Sequence, residues 1–151
     1  MDAISAVEEK IVSRLKSELS YLRTCDSLSE FLGLDLEELK ELTPLLPAVY
    51  VVYEAGRYDH SMSSTQDVDM IFNLVVMAAN LRGDKAARHG AGAVKGVYAI
   101  LEDCRAALTE QDCGAAIDPL LPVDEQALMG DRHTAVYGMA FKTRRRVAPS
   151  A

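Results

Sequence analysis

A chain of 151 residues that is 49% hydrophobic and 26% charged lies in the ordinary globular range and is long enough to bury one core without staples, which excludes a disordered or collagen-like chain. A net charge of −7 repels phosphate, so no general attraction to duplex DNA is available. The cysteines at 25, 104 and 113 form an odd set without Cys-x-x-Cys spacing, which argues against a disulfide framework and a structural zinc site and for a reduced, cytosolic origin. The start, Met-Asp-Ala-Ile, lacks a signal-peptide pattern, and no apolar run reaches the roughly 18 residues of a membrane helix.

In chain order, Ile4, Val7, Ile11, Leu15 and Leu19 recur at helical spacing over residues 3–19, with Glu8, Glu9, Lys10, Arg14 and Lys16 on the wet face. Ser5 and Glu8 have capping-box spacing, and Asp2 competes as the cap. A weak edge strand is expected over 21–28. Leu32, Leu36 and Leu39 suggest a short helix, confined in its safer version to 34–42 and stopped by Pro44, which disfavours helical geometry in Thr43. Residues 47–53, Pro-Ala-Val-Tyr-Val-Val-Tyr, read as a strand, and Asp67 to Asn80 as a long one, with Val68, Met70, Phe72, Leu74, Val76 and Ala78 on its inward face. The polar segment 54–66 between them is too long for a tight turn, so it is either a continuation of the strands as an arm or a mobile loop.

Lys85 to Leu108 predicts one long helix capped near Asp84, in which Val94, Val97, Tyr98, Leu101, Cys104 and Leu108 form the apolar stripe. Gly90, Gly92 and Gly96 intrude on it at about 1 kcal/mol each, with close backbone packing as the reason and Gly90 as a fray or bend. Two prolines hold 117–122 extended, Gly130-Asp131 turns the chain, and Ala135, Tyr137, Met139 and Phe141 alternate as a further strand. The basic run at 142–146 reads first as a soluble strand end. The order of elements predicts one α+β domain over 1–147, with a frayed end at 148–151: a largely antiparallel or mixed sheet with two long helices packed on one face. The other face, carrying Asp67, Asp69, Ile71, Asn73, Val75 and Met77, is incompletely polar, a hint of partner contact.

Catalytic chemistry finds little support. Gly90-Ala-Gly-Ala-Val-Lys95-Gly96 fails as a phosphate loop because Gly-Lys-Ser/Thr is required and Lys95 is followed by Gly96 and Val97, and it fails as a dinucleotide loop because Lys95 stands where Gly is needed; a packing role is preferred. Asp59, His60 and Ser61 make a triad only by composition, without a nucleophile elbow. His60, His89 and His133 are separate from one another and from the cysteines, so they read as surface residues rather than metal ligands. Asp67 and Asp69 share a strand face, which a solvated edge explains as well as acid–base chemistry does. The expectation is a binding or structural protein, not an enzyme, with no cofactor and no metal.

Several stretches together carry a resemblance: 6–15 in the opening helix, Leu46-Pro-Ala-Val-Tyr50 running to Gly56-Arg-Tyr58, Asn80-Leu-Arg82, Gly96-Val-Tyr-Ala-Ile-Leu-Glu-Asp103, Asp118-Pro-Leu120 and the strand 137–141. In this order, over residues 4–145, they resemble the Mu-like prophage family of small tail proteins, whose members are similar to tail terminators. The resemblance implies an α+β virion subunit, assembled in the host cytoplasm, that forms a hexameric ring with itself. The ring caps the tail tube at the head-proximal end and meets the head–tail connector or stopper, with the sheath as a further neighbour. DNA touches it only in passing through the channel, which the net charge predicts to be lined by acidic side chains, and no membrane is involved. Expected partner contacts are Gly56, Arg57, Tyr58, Asp59 and His60 in the inter-strand segment, Asp67 and Asp69 on the strand, Arg82, and Arg144, Arg145 and Arg146 in the basic run. The competing readings are a head–tail stopper or adaptor, and a small intracellular module that binds a peptide or ligand on its exposed sheet face.

Overall fold

The fourteen residues Gln66–Ala79 form the middle strand of a five-stranded mixed sheet, and the rest of the molecule is built on its two faces. The computed structural model describes residues 2–28, 33–59 and 66–147. Leu32, residues 60–65 with His60, and the 148–151 end lie outside the described residues. In chain order the elements are α1 (Ala3–Glu18), β1 (Thr24–Leu28), α2 (Leu36–Leu42), β2 (Ala48–Asp59), β3 (Gln66–Ala79), α3 (Asp84–His89), α4 (Val97–Leu108), β4 (Leu121–Gly130) and β5 (Thr134–Val147). The sheet order is β1-β2-β3-β5-β4, antiparallel except for the parallel β1–β2 pair.

The inner face follows the period-two stripe. Val68, Met70, Phe72, Leu74, Val76 and Ala78 are all buried, packed with Val7, Ile11 and Leu15 of α1 and Ile100, Cys104 and Leu108 of α4. Each such side chain contributes about 1.5–3 kcal/mol when removed from water, so two helices on one sheet face make the dominant core. Arg14 ties the helices together by donating from Nε to the Ala107 carbonyl at 3.0 Å.

The outer face is covered at one end. A parallel β1–β2 pair requires a crossover that passes over the sheet, and with α1 and α4 on the inner face the crossover helix α2 lies outside. There Leu39, Ala48, Tyr50, Val52, Val75, Met77 and Val136 form a second buried cluster. Asp35 caps α2 by accepting from the Glu38 N–H at 2.8 Å, and Thr43 and Tyr50 share a buried hydroxyl contact of 2.6 Å. Lys40 reaches Asp131 in the β4–β5 turn at 2.6 Å, and that hydrogen bond, with those from the backbone N–H groups of His133 and Thr134, lowers the Asp131 pKa to about 2.

One expectation changes and three alternatives are decided. Asp2, not Ser5, caps α1, accepting from the Ser5 N–H at 2.7 Å, because Ala3 and Ile4 are already helical. The helix expected over 85–108 is two helices. Gly90 and Gly92 have positive φ of 86° and 59°, and Ala91 and Val94 close a tight turn with reciprocal 3.0 Å hydrogen bonds, leaving Val94 55% exposed instead of on the core stripe. A Cβ on Gly90 would lie 2.6 Å from the Val94 carbonyl oxygen and 2.9 Å from the Gly96 nitrogen, so the glycines mark a fold-back and not a bend. Strand β2 continues six residues past Tyr53, so 54–59 is strand; of the two readings of that segment, the continuation is the one observed. Finally, Asp67 and Asp69 sit in the middle strand rather than at a solvated edge.

Candidate functional site

The end of the sheet away from α2 gathers most of the residues singled out in the sequence. A β-bulge between Tyr53 and Ala55 shifts the alternation of β2, so outward residues are even-numbered before it and odd-numbered after it. Arg57 therefore stands opposite Asp69, and Asp59 opposite Asp67, on the outer face. On the other side of β3, Asp69 faces Arg144 and Asp67 faces Arg146. The basic run is thus woven into the sheet, with Arg144 and Arg146 in register with carboxylates, an arrangement of opposite signs across strands, and Lys142 in register with Ile71.

Arg144 is the centre of this arrangement. Its Nε donates to Asp69 Oδ1 at 2.8 Å and one terminal nitrogen to Asp69 Oδ2 at 3.2 Å, a two-pronged contact; further ion pairs reach Asp59 at 3.3 Å and Asp67 at 3.4 Å. The hydrogen bond from Arg144 holds the Asp69 carboxyl below its ordinary value, and the same bond raises the guanidinium. With Asp67 only 8% exposed, one guanidinium among three carboxylates is the arrangement that lets the middle strand carry acids at all.

The remaining candidates divide. Gly56, Tyr58 and Arg145 belong to the inner side of this end. Gly56 leaves room for the Tyr53 hydroxyl, which a Cβ would strike, and Arg145 is half-buried, its Nε without a hydrogen-bond partner among the described residues. Tyr58 is 60% exposed, and Arg146 is exposed. Arg82 is not part of the group: it stands in the turn after β3, at the opposite end of that strand, where its N–H donates to the Asn80 side chain at 3.0 Å. His89 stacks against Tyr98 at 5.4 Å and His133 sits exposed in the β4–β5 turn. Lys95, tested above for a phosphate role, is held by Asp103 at 2.6 Å and lies 4.6 Å over the Tyr21 ring.

Beside Arg144 opens a cleft of about 500 Å³ bounded by Arg57, Ile71, Asp118, Leu121 and Lys142. Of these, only Arg57 was a candidate in the sequence. Lys142 had a signal, since Lys142, Arg144 and Arg146 alternate on one strand as Asp67, Asp69 and Ile71 do on another. Leu121 had none, because its position depends on the segment before β4 being pinned to β5 by the Asp118 N–H, which donates to the Arg144 carbonyl at 2.9 Å. Among the described residues the outer face is bare over this distal half, and the edge strand β4 is exposed as well. No group of His, Cys, Asp and Glu suited to a metal ion occurs among the described residues, and among them no helix is long and apolar enough to cross a membrane.

Compared with known families, residues 3–145 match the model described as Bacteriophage Mu, Gp37. No curated protein matches the chain.

Proposed function

The chain belongs to the bacteriophage Mu Gp37 family, which makes it a phage protein of the structural and morphogenetic kind, and from that premise we propose that it is a tail terminator: a ring subunit that caps the finished tail tube and meets the head connector. The family match carries the reading, and the site is compatible with it. A ring subunit needs two non-identical contact surfaces, and the charged surface at the end of the long paired strands β2, β3 and β5 supports one of them. Its work is assembly, without a cofactor, and its neighbours are copies of itself, the tail tube and the connector. The excess of carboxylates in a chain of net charge −7 suits a channel that DNA traverses without sticking.

The tip joining β2 to β3 is assigned to the tube or to a neighbouring subunit. A variant lacking residues 58–64 that retains the native circular dichroism spectrum is expected to leave tails uncapped when it is the only copy supplied to assembling phage, as scored by electron microscopy of the particles. Normally capped, head-joined tails from that variant would overturn the assignment.

A further inference from the structure

Strand β4 is the long open edge of the sheet. It pairs with β5, and among the described residues no strand lies along its other side. Residues 121–127 are exposed throughout, Val123 at 50%, so neither helix layer covers the flanks of the strand there. Such an edge presents a row of main-chain N–H and C=O groups that another strand can complete. β4 also carries two bulges, at Val123 and at Leu128, each placing an extra residue against β5. Bulges commonly turn an edge away from partners, and what these two do depends on where they fall.

Residues directly opposite in an antiparallel pair point to the same side, so the sides of β5 fix those of β4. Pro122, Glu125, Ala127 and Gly130 stand opposite Phe141, Met139, Tyr137 and Ala135 on the inner side; Asp124, Gln126 and Met129 stand opposite Ala140, Gly138 and Val136 on the outer side. Leu128 packs with Met129 against the outer cluster, and alternation after the inward Pro122 turns Val123 outward beside Asp124. Read away from Gln126 in either direction, the order of sides is then the same: inner at 125 and 127, outer at 124 and 128, outer at 123 and 129, inner at 122 and 130. The two bulges produce this symmetry. A strand of this kind is complementary to its own reverse, and we propose that β4 pairs antiparallel with β4 of a second copy, Gln126 facing Gln126 across a two-fold axis.

This register keeps every side chain on its own face through both bulges and joins two five-stranded sheets into one. Val123 meets Met129, and Asp124 and Glu125 meet Leu128 and Ala127, so no carboxylate faces another. Centring the pair on Glu125 instead sets Glu125 against itself and the inward Pro122 against the outward Leu128. An axis between two residues opposes inner to outer side chains. The opposite edge, β1, pairs with β2 in five unbroken steps and would match neither bulge. Pro122, which lacks an N–H, falls at the end of the paired stretch.

Residues 122–130 span roughly 30 Å at about 3.4 Å each and share on the order of eight main-chain hydrogen bonds with the copy. So narrow a strip makes a small interface in which the main chain supplies most of the affinity. The contact is closed, so it does not build a ring and stands apart from the terminator reading. Sedimentation velocity at rising concentration is expected to show a species of about twice the 16.5 kDa chain mass. The register is read with cysteines at exposed positions. Gln126→Cys places two thiols on residues whose Cα atoms are about 4.5–5.5 Å apart, within disulfide reach, and should give a covalent dimer under mild oxidation. Asp124→Cys faces Leu128, so its two copies lie four residues apart, roughly 13 Å and beyond the limit of about 7 Å, and should not link. The wild type, with Cys25 and Cys113 part-exposed, sets the background. Gln126→Glu and Gln126→Lys should each raise the dimer dissociation constant about fivefold by setting like charges face to face, and the two mixed should pair more tightly than either alone. If Gln126→Cys does not fold, that mixing experiment carries the test. A strictly monomeric wild type, a folded Gln126→Cys that stays unlinked, an Asp124→Cys that links as fast, or mixed variants that gain nothing would each overturn the proposal. A chain that pairs in this way but never binds tail tubes would count against the ring alone.

Discussion

Arg144 shows how one side chain decides what a strand can carry. Three aspartates converge on the same end of the outer face, and the guanidinium contacts all of them between 2.8 and 3.4 Å. Removing it leaves like charges side by side in the middle of the sheet. The pH dependence has a definite sign. The Asp69 carboxyl is held below its ordinary value of 3.8 by the Arg144 hydrogen bond, so its stabilising contribution is complete above about pH 4 and is lost as the pH falls through and below that value. Arg144→Met is therefore expected to lower the melting temperature at pH 7 and to lower it less as the pH falls below about 4, where Asp69 gains a proton and its bond to Arg144 weakens. Thermal melts of the two proteins across that range test this; a loss of equal size at every pH would show that Arg144 acts through packing alone. Part of this site was legible in the sequence, because Asp67 and Asp69 alternate on one strand and Arg144 and Arg146 on another. What was missing was the register that sets one row against the other.

At the scale of elements, the strongly periodic segments were readable and the junctions were not. The stripe from Val68 to Ala78 predicts β3 and its buried face because six alternate apolar residues leave one orientation that keeps them dry. The bulge after Tyr53 has no such signature, yet it turns Arg57 and Asp59 outward. The parallel pairing of β1 was equally hidden, and with it the placement of α2 on the outer face. The long helix failed for a physical reason: propensity charges each glycine a fixed cost, whereas here the backbones of residues 88–90 and 96 touch, and no side chain fits between them. Gly96 has an ordinary φ of −92°, so alanine there is strained only by crowding against the Gly90 and Arg88 backbone. Gly96→Ala is expected to cost about 1–3 kcal/mol in denaturant unfolding, opening the junction between α3 and α4. An unchanged midpoint would mean that the fold-back has slack.

For the molecule as a whole, α1 and α4 bury one face of the sheet along most of β2, β3 and β5, the edge strand β4 is largely exposed, and the other face is divided between an apolar, helix-covered half and a charged, bare half. One solvated face is ordinary for a largely antiparallel sheet, and under the terminator reading the bare half is surface that a subunit keeps soluble until a partner arrives. Net acidity keeps such a subunit soluble and clear of nucleic acid, and membership of the Mu Gp37 family places it among phage proteins. The most direct test of the terminator reading is electron microscopy of purified tail tubes incubated with the chain. A ring of density at one end of each tube, and none along its length, is the predicted result; tubes with bare ends, or with the chain bound along their sides, would contradict it.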